Sequence, residues 1–495
     1  MTALAWKRVE PLRAHPRTAE DFRRAQRDGR RVWLGGSRLA SPLDSPVLAP
    51  VVDTLGALLA LHASREHADL LMDRDDAGQP CAAWSRVPRT AEELQRQGRI
   101  STLFAHETLG MMGRLWDASG SFVNALHNVR TDAAKYRPEA AAVLEELHTR
   151  CGRELLLVAL AAIEPPPVDG LPQGLRIVDR GPDGIVVSGT KAISTGAPYC
   201  DELLLLKNVF GRDALPPEET VGVVLKPSTP GLSLFCREGL ARGPRSELGR
   251  YDEVDALVVL DRVVVPWERV LYAGEPDAAR VLLEAVVACD KHAMARRLVA
   301  KLELLWGLGE AMTHLTGSRA VPAVAELLAG LGKHHALMST LVEAAESRPE
   351  PAPGDGGGVL PERKTLHLAL SYALEHYPSI LDTLRLLGGQ SLVVRPSPED
   401  LAAPEVAALY ARHLKGSTLE LVPRARLWAL ADELTGSELA GRQRLMDSYA
   451  VGGRHILERE LAHMLDPSAG VARLEARVGA PLRPPAPAEP PEENP

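Results

Sequence analysis

The chain has 495 residues, 45% of them hydrophobic and 25% charged, with a formal net charge of −8. That length allows a large core in several lobes, and the composition is that of an ordinary globular protein. The acidic balance leaves no basic stripe for a phosphate backbone, which argues against nucleic-acid binding, and no stretch approaches the about 20 apolar residues that span a bilayer.

Residues 1–165 are predicted to form a helical domain. Segment 3–31 is Arg-rich and lacks the apolar run of a secretory signal. In 91–114, Leu94, Gln97, Ser101, Phe104 and Thr108 recur every three or four residues and so share one helix face. A second helical run, 143–163, is expected to stop at Pro165-Pro166-Pro167, which cannot continue a helix.

Residues 166–275 change character. Short β-branched runs (Ile185-Val186-Val187, Val221-Gly222-Val223-Val224, Leu257-Val258-Val259-Leu260, Val263-Val264-Val265) alternate with turn signals such as Asp183-Gly184 and Ser228-Thr229-Pro230-Gly231. Such spacing predicts a compact, mostly antiparallel β domain. From 276 to 475 the helical period returns, in 279–315 and 365–387, around a Pro- and Gly-rich insert at 348–359 that reads as a loop. Gly388-Gly389-Gln390 reads as a helix end. Residues 476–495, above all 481–495, are rich in Pro and Glu and predict a disordered tail. The class is therefore α+β and multidomain. Five scattered cysteines (Cys81, Cys151, Cys200, Cys236, Cys289) predict free thiols packed as small hydrophobes in a cytoplasmic protein. Gly307-Leu308-Gly309 lies in a helical run with no strand before it, so it is no dinucleotide-binding turn.

Several strings resemble one family in the same order along the chain. They are Gly29-Arg30-Arg31-Val32-Trp33-Leu34-Gly35-Gly36, Leu109-Gly110-Met111-Met112-Gly113-Arg114, the hairpin Asp183 to Lys191, and Pro230-Gly231-Leu232 with Cys236-Arg237-Glu238. Val263-Val264-Val265-Pro266-Trp267-Glu268-Arg269-Val270 and Gly441-Arg442-Gln443 through Tyr449-Ala450-Val451-Gly452-Gly453 complete the set. Together they resemble the oxygenase-component family of 4-hydroxyphenylacetate 3-monooxygenase, whose members are two-component, FADH2-dependent and built on the acyl-CoA-dehydrogenase-like fold. The resemblance implies an N-terminal helical domain, a central antiparallel β barrel and a C-terminal helical bundle, assembled as a homotetramer or homodimer. It also implies reduced FAD delivered by a separate flavin reductase, and oxygen transfer to the substrate from a flavin C4a-hydroperoxide. The cofactor would carry the chemistry while the protein holds it, excludes water and orients a small-molecule or carrier-bound substrate.

By the same resemblance Lys191 to Pro198 is the flavin loop. Ser194 and Thr195 would contact the flavin, and the Thr195 hydroxyl can donate to or accept from either redox state. Pro167 and Asp169 lie where the family's chain passes the flavin. Gly452, Gly453 and Arg454 would meet the diphosphate, although the family carries Asp-Pro after the first glycine where this chain has Gly453-Arg454. Asn208 and Val209 fall in the substrate-covering loop.

The chain departs from its phenol-hydroxylating relatives at the substrate itself. Their Arg and Tyr fall on Gln97 and Ser101, and their His, expected on a later helix, falls on Ala159 or Leu160. Arg99 lies about 200° around the helix from Gln97 and cannot substitute. Gln97, Ser101 and Thr195 are the catalytic candidates, and no metal is expected. Gln and Ser orient a polar group but supply little charge stabilisation. The substrate is then expected to be an amine, an activated heteroaromatic or a carrier-bound acyl group, oxygenated on carbon or on nitrogen, more than a simple phenol. Three alternatives stand beside this reading. An iron–sulfur dehydratase is rejected, because Cys289-x-x-His292 lacks its partners: Val299 fills one position and no Cys lies between Cys81 and Cys151. A flavin oxidase or dehydrogenase would need a base such as Glu375, Glu420 or Glu438. A non-catalytic scaffold would bind no flavin.

Overall fold

A computed structural model describes residues 17–170, 173–211, 214–240, 246–413 and 419–480. Of the expected tail, 476–495, residues 481–495 lie outside them, while 476–478 end the helix Ser468–Val478 instead of being disordered. The N-terminal lobe holds the helices Ala49–Ala60, Ala91–Glu107, Trp116–Asn128 and Ala140–Glu154. The Ala91–Glu107 helix starts where the Thr90 hydroxyl accepts from the Glu93 amide and two acidic residues fill the first turn. It buries Leu94, Ser101 and Phe104 on the expected face and leaves Arg99 exposed.

The second helical run is shorter than its periodicity suggests. It ends at Glu154, where Leu155 takes a left-handed φ of 52°, and Val158–Ala161 is a strand paired in parallel with Glu202–Leu205. A short, almost wholly buried apolar segment looks alike as helix or strand in sequence, and here the neighbouring strand decides.

The middle of the chain forms two sheets. One has six strands, in the order Ser37–Leu39, Val32–Leu34, Leu232–Cys236, Asp255–Pro266, Gly184–Thr195, Arg176–Gly181. The other has four, in the order Val270–Ala273, Val221–Leu225, Glu202–Leu205, Val158–Ala161. Side chains of both, such as Val187, Leu234 and Val258 with Leu203, Val223 and Leu225, share one core. No continuous ladder closes them into the expected barrel among the described residues; a single bridge, Ile163 to Ile193, ties an edge of one to the other. Strand pairing is antiparallel except for Val32–Leu34 with Leu232–Cys236 and for Val158–Ala161 with Glu202–Leu205.

The C-terminal lobe is built on Pro276–Thr316, which opens on a proline and closes on Gly317 at φ 70°. Pro322–Glu346, Arg363–Gly388 and Leu421–Gly436 pack with it around a second core. Three further helices follow: Glu438–Tyr449, Arg454–Met464 and Ser468–Val478. No described helix is long and apolar enough to cross a membrane. The 348–359 insert is more ordered than a loop. Glu350–Pro351 pairs with Val359–Leu360, and Asn128 holds the hairpin, donating to the Pro353 carbonyl at 2.6 Å and accepting from the Gly358 amide at 2.9 Å.

Helix Trp116–Asn128 passes so close to Trp84 that a Cβ at Gly120 would run into the Trp84 carbonyl. Gly120→Ala is therefore expected to lower stability by about 1–3 kcal/mol, read from urea unfolding.

Candidate active site

The turn Leu109-Gly110-Met111-Met112-Gly113-Arg114 joins all three lobes. Leu109 and Gly110 take φ values of 53° and 65°, turning the chain out of its helix. The amides of Gly113 and Arg114 then donate to the two oxygens of Glu253 at 2.9 and 2.6 Å. Burial pushes the Glu253 carboxyl above the usual range, against the pull of Arg442 and those amides. The Gly110 carbonyl accepts from Arg297 at 2.8 Å. Arg297 also pairs with Asp447, which takes Lys301 and Gln443 at 3.0 Å each.

Thr195 ends the Gly184–Thr195 strand near this turn, where a Cβ at Gly196 would lie 3.9 Å from Arg114. Its hydroxyl donates to Asp255 at 2.6 Å, and Arg442 reaches it at 3.4 Å. Asp255 also accepts from Arg237 at 2.8 Å and from Arg442 at 2.9 Å. Burial would raise the Asp255 carboxyl, but Arg442, Arg237 and Thr195 outweigh it and hold it below the usual range. Ser194 faces the other way: it is buried and donates to the Leu160 carbonyl at 3.0 Å.

Next to Thr195 two bridged residues, Ile163 and Ile193, stay 51% and 44% exposed. An uncovered apolar strip ending in one oriented hydroxyl suits a flat ring with a polar edge, so these residues fit a flavin. Pro167 and Asp169 follow Ile163 on the exposed surface, Asp169 at φ 50°.

Gly452 and Gly453 have φ values of 99° and 82°, and Gly453 precedes the first residue of helix Arg454–Met464. The turn thus presents a helix start and not only a helix end. It borders an open cleft of about 780 Å³ that also involves Arg444, Ser448 and Tyr449. Arg454 is exposed and already paired with Glu458 at 2.6 Å and Glu375 at 3.2 Å.

At the substrate positions, Gln97 donates to the Arg86 carbonyl at 2.6 Å and lines a small cavity. Ser101, one turn on, stands beside Asp117. Burial pushes the Asp117 carboxyl up to about 6; Asp290 adds to this, and the Ser101 hydroxyl and the Ala118 amide oppose it. Asp290 in turn takes Arg114 through both oxygens, at 2.9 and 2.8 Å. Ser101 thus neighbours Asp117, and Arg114 joins Asp290 to the turn that lies near Gly196. Other candidates stay apart. Val209 is 1% exposed in the core under the four-stranded sheet, and Asn208 accepts from the Phe210 amide at 3.2 Å in a local turn. Leu160 sits on a strand, not on the helix expected for that position.

Asp255, Asp290 and Asp117 escaped the sequence reading because their partners lie far off in the chain. Arg114, Arg237 and Arg442 sit inside the quoted strings, which was the available signal.

The family model described as 4-hydroxyphenylacetate 3-hydroxylase N terminal matches residues 18–272, and its C-terminal counterpart matches 281–476. The chain belongs to the 4-hydroxyphenylacetate 3-hydroxylase family. It is similar to the 4-hydroxyphenylacetate 3-monooxygenase oxygenase component of Thermus thermophilus, 28% identical over 438 residues, covering 85% of this chain and 88% of the relative. It is also similar to the FADH(2)-dependent monooxygenase TftD of Burkholderia cepacia, 23% identical over 448 residues, covering 88% and 86%. Among solved structures it resembles the oxygenase component HpaB of 4-hydroxyphenylacetate 3-monooxygenase complexed with FAD and 4-hydroxyphenylacetate. That match has a TM-score of 0.85 at 26% identity, over 94% of this chain and 98% of the other.

Proposed function

We propose that this member of the 4-hydroxyphenylacetate 3-hydroxylase family is the oxygenase component of a two-component monooxygenase, using O2 and reduced FAD supplied by a separate flavin reductase. The observation that carries it is the Thr195–Asp255–Arg442 assembly beside the exposed Ile163–Ile193 strip. Bound reduced FAD supplies the electrons that split O2, one atom going to the substrate and the other to water.

The chain's residues do the rest. Asp255 fixes the Thr195 hydroxyl, which would meet the flavin ring, and Arg442 would add a positive charge there. The helix start at Gly453 and the charge of Arg454 would meet the diphosphate, and Pro167 and Asp169 would flank the ring. Gln97 and Ser101 orient a small organic substrate by neutral hydrogen bonds. Neither residue carries charge, so an amine, a heteroaromatic or a carrier-bound acyl group fits these two positions as well as a phenol does.

Leu386, Val393, Val394, Leu445 and Tyr449 are exposed on the C-terminal helices. A surface of that kind supports a homodimer or homotetramer contact.

Turnover with a flavin reductase under 18O2, offered aromatic amines, heteroaromatics and phenols, tests this. One 18O atom in a product is expected. Hydrogen peroxide alone, with every substrate left intact, would point to an oxidase instead.

A further inference from the structure

We infer that His292, held by Glu346, is the proton acceptor for the substrate in this site. The inference rests on the oxygenase reading above and names the residue that prepares the substrate for it.

The helices Ala91–Glu107, Trp116–Asn128 and Pro276–Thr316 enclose a cavity that the 350–360 hairpin closes. Gln97, Asn124, Asn128, Cys289, His292 and Gly358 are among its walls, and its volume of about 20 Å³ has room for one water molecule. A hydroxyl or amine nitrogen at the end of a substrate fits the same space. Most of the polar wall is already committed. Gln97 donates to the Arg86 carbonyl, Asn124 to the carbonyls of Trp84 and Arg86 at 2.9 and 3.1 Å, and Asn128 holds the hairpin. Burial pushes the Cys289 thiol up to about 12, so it stays protonated.

His292 differs. It is 5% exposed, and its Nε2 lies 2.6 Å from Oε1 of Glu346, which is 0% exposed. Arg296 donates to the same oxygen at 2.6 Å and pairs with the other. Burial would raise the Glu346 carboxyl, but His292 and Arg296 outweigh it and keep it charged. A charged acceptor at that distance fixes the proton on Nε2, which leaves the Nδ1 lone pair for an incoming proton. The packing is built around this pair: a Cβ at Gly98 would meet Glu346 Oε1 and, at 2.7 Å, Arg296 Nε.

The cavity shares Gln97 with the helix face that carries Ser101. Gln97 is one turn from Ser101, and Cys289 and His292 flank Asp290, which holds Arg114. In the proposed step the O–H bond of an aromatic hydroxyl, or one N–H bond of an ammonium, breaks, the proton passes to Nδ1 of His292, and the electron pair stays on the oxygen or nitrogen. The imidazolium is stabilised by Glu346, and the activated substrate accepts oxygen more readily. Gln97, Ser101 and Leu160 cannot take that proton at neutral pH.

The test uses 4-nitrophenol, whose anion is yellow, added anaerobically to the protein carrying reduced FAD, which is nearly colourless. Wild-type protein is expected to bind the probe as its anion at pH values where the free probe is mostly neutral. In His292→Asn the pH of half-ionisation of the bound probe should rise by about one unit or more, with reduced-FAD affinity unchanged. Glu346→Gln, which keeps the imidazole and the side-chain volume, should shift it in the same direction by less. Equal ionisation in wild type and both variants, or no binding of the probe to wild type, would overturn the assignment. Failure of wild type to bind reduced FAD would instead remove the oxygenase reading on which it rests.

Discussion

Asp447→Asn is expected to lower stability by about 3–5 kcal/mol at pH 7, measured by urea unfolding. Asp447 is 1% exposed and is the shared partner of two buried cations, Arg297 and Lys301. An amide of the same shape leaves both charges uncompensated in a place water cannot reach. The effect has a pH signature. Burial would raise the Asp447 carboxyl, but Arg297 and Lys301 outweigh it and hold it below the usual range. A carboxylate depressed in the folded state contributes fully above its unfolded pKa and loses that contribution as pH falls through its folded value. The gap between variant and wild type should therefore be widest near neutrality and narrow in acid. A constant gap down to acid pH would mean that packing, not charge, is lost.

Asp255→Ala is expected to weaken reduced-FAD binding by about 10- to 100-fold, measured by anaerobic fluorescence titration, since an ion-assisted hydrogen bond contributes about 1.5–3 kcal/mol. Asp255 is the acceptor on which Thr195, Arg237 and Arg442 converge, and without it the hydroxyl loses its orientation. Its cost in stability should stay below that of Asp447→Asn, because the side chains of Arg237 and Arg442 keep 21% and 10% of their surface in water, against 4% and 2% for Arg297 and Lys301. Unchanged affinity would remove Thr195 and its neighbours from the flavin site.

What the sequence revealed and what it hid follow from the range of each signal. The β-branched runs became strands, and the turn signals Asp183-Gly184 and Ser228 to Gly231 fall between them. Periodicity was local enough to place the Ala91–Glu107 and Pro276–Thr316 helices. Val158–Ala161 defeated it because an apolar segment buried on nearly all sides carries no period, and its strand character comes from Glu202–Leu205. The 348–359 insert read as a loop because its order is lent by Asn128, more than 200 residues away in the chain. The strings behind the family resemblance have visible structural work: Arg269 pairs with buried Glu202 at 3.2 Å, and the Gly110 to Arg114 turn pins three lobes. Thr195 became a candidate because it follows the Asp183 to Lys191 string, and it ends the strand that this string begins. Asp255, Asp290 and Glu346 were not legible, since a single acidic residue announces nothing until its partner arrives from another helix or sheet.

The most direct test is to mix the protein anaerobically with reduced FAD, add oxygenated buffer and follow the return of the oxidised flavin spectrum. Binding of reduced FAD near one per chain is expected, with reoxidation clearly slower than that of free reduced FAD. No binding, with reoxidation at the free rate, would contradict the assignment of this chain as a flavin-dependent oxygenase.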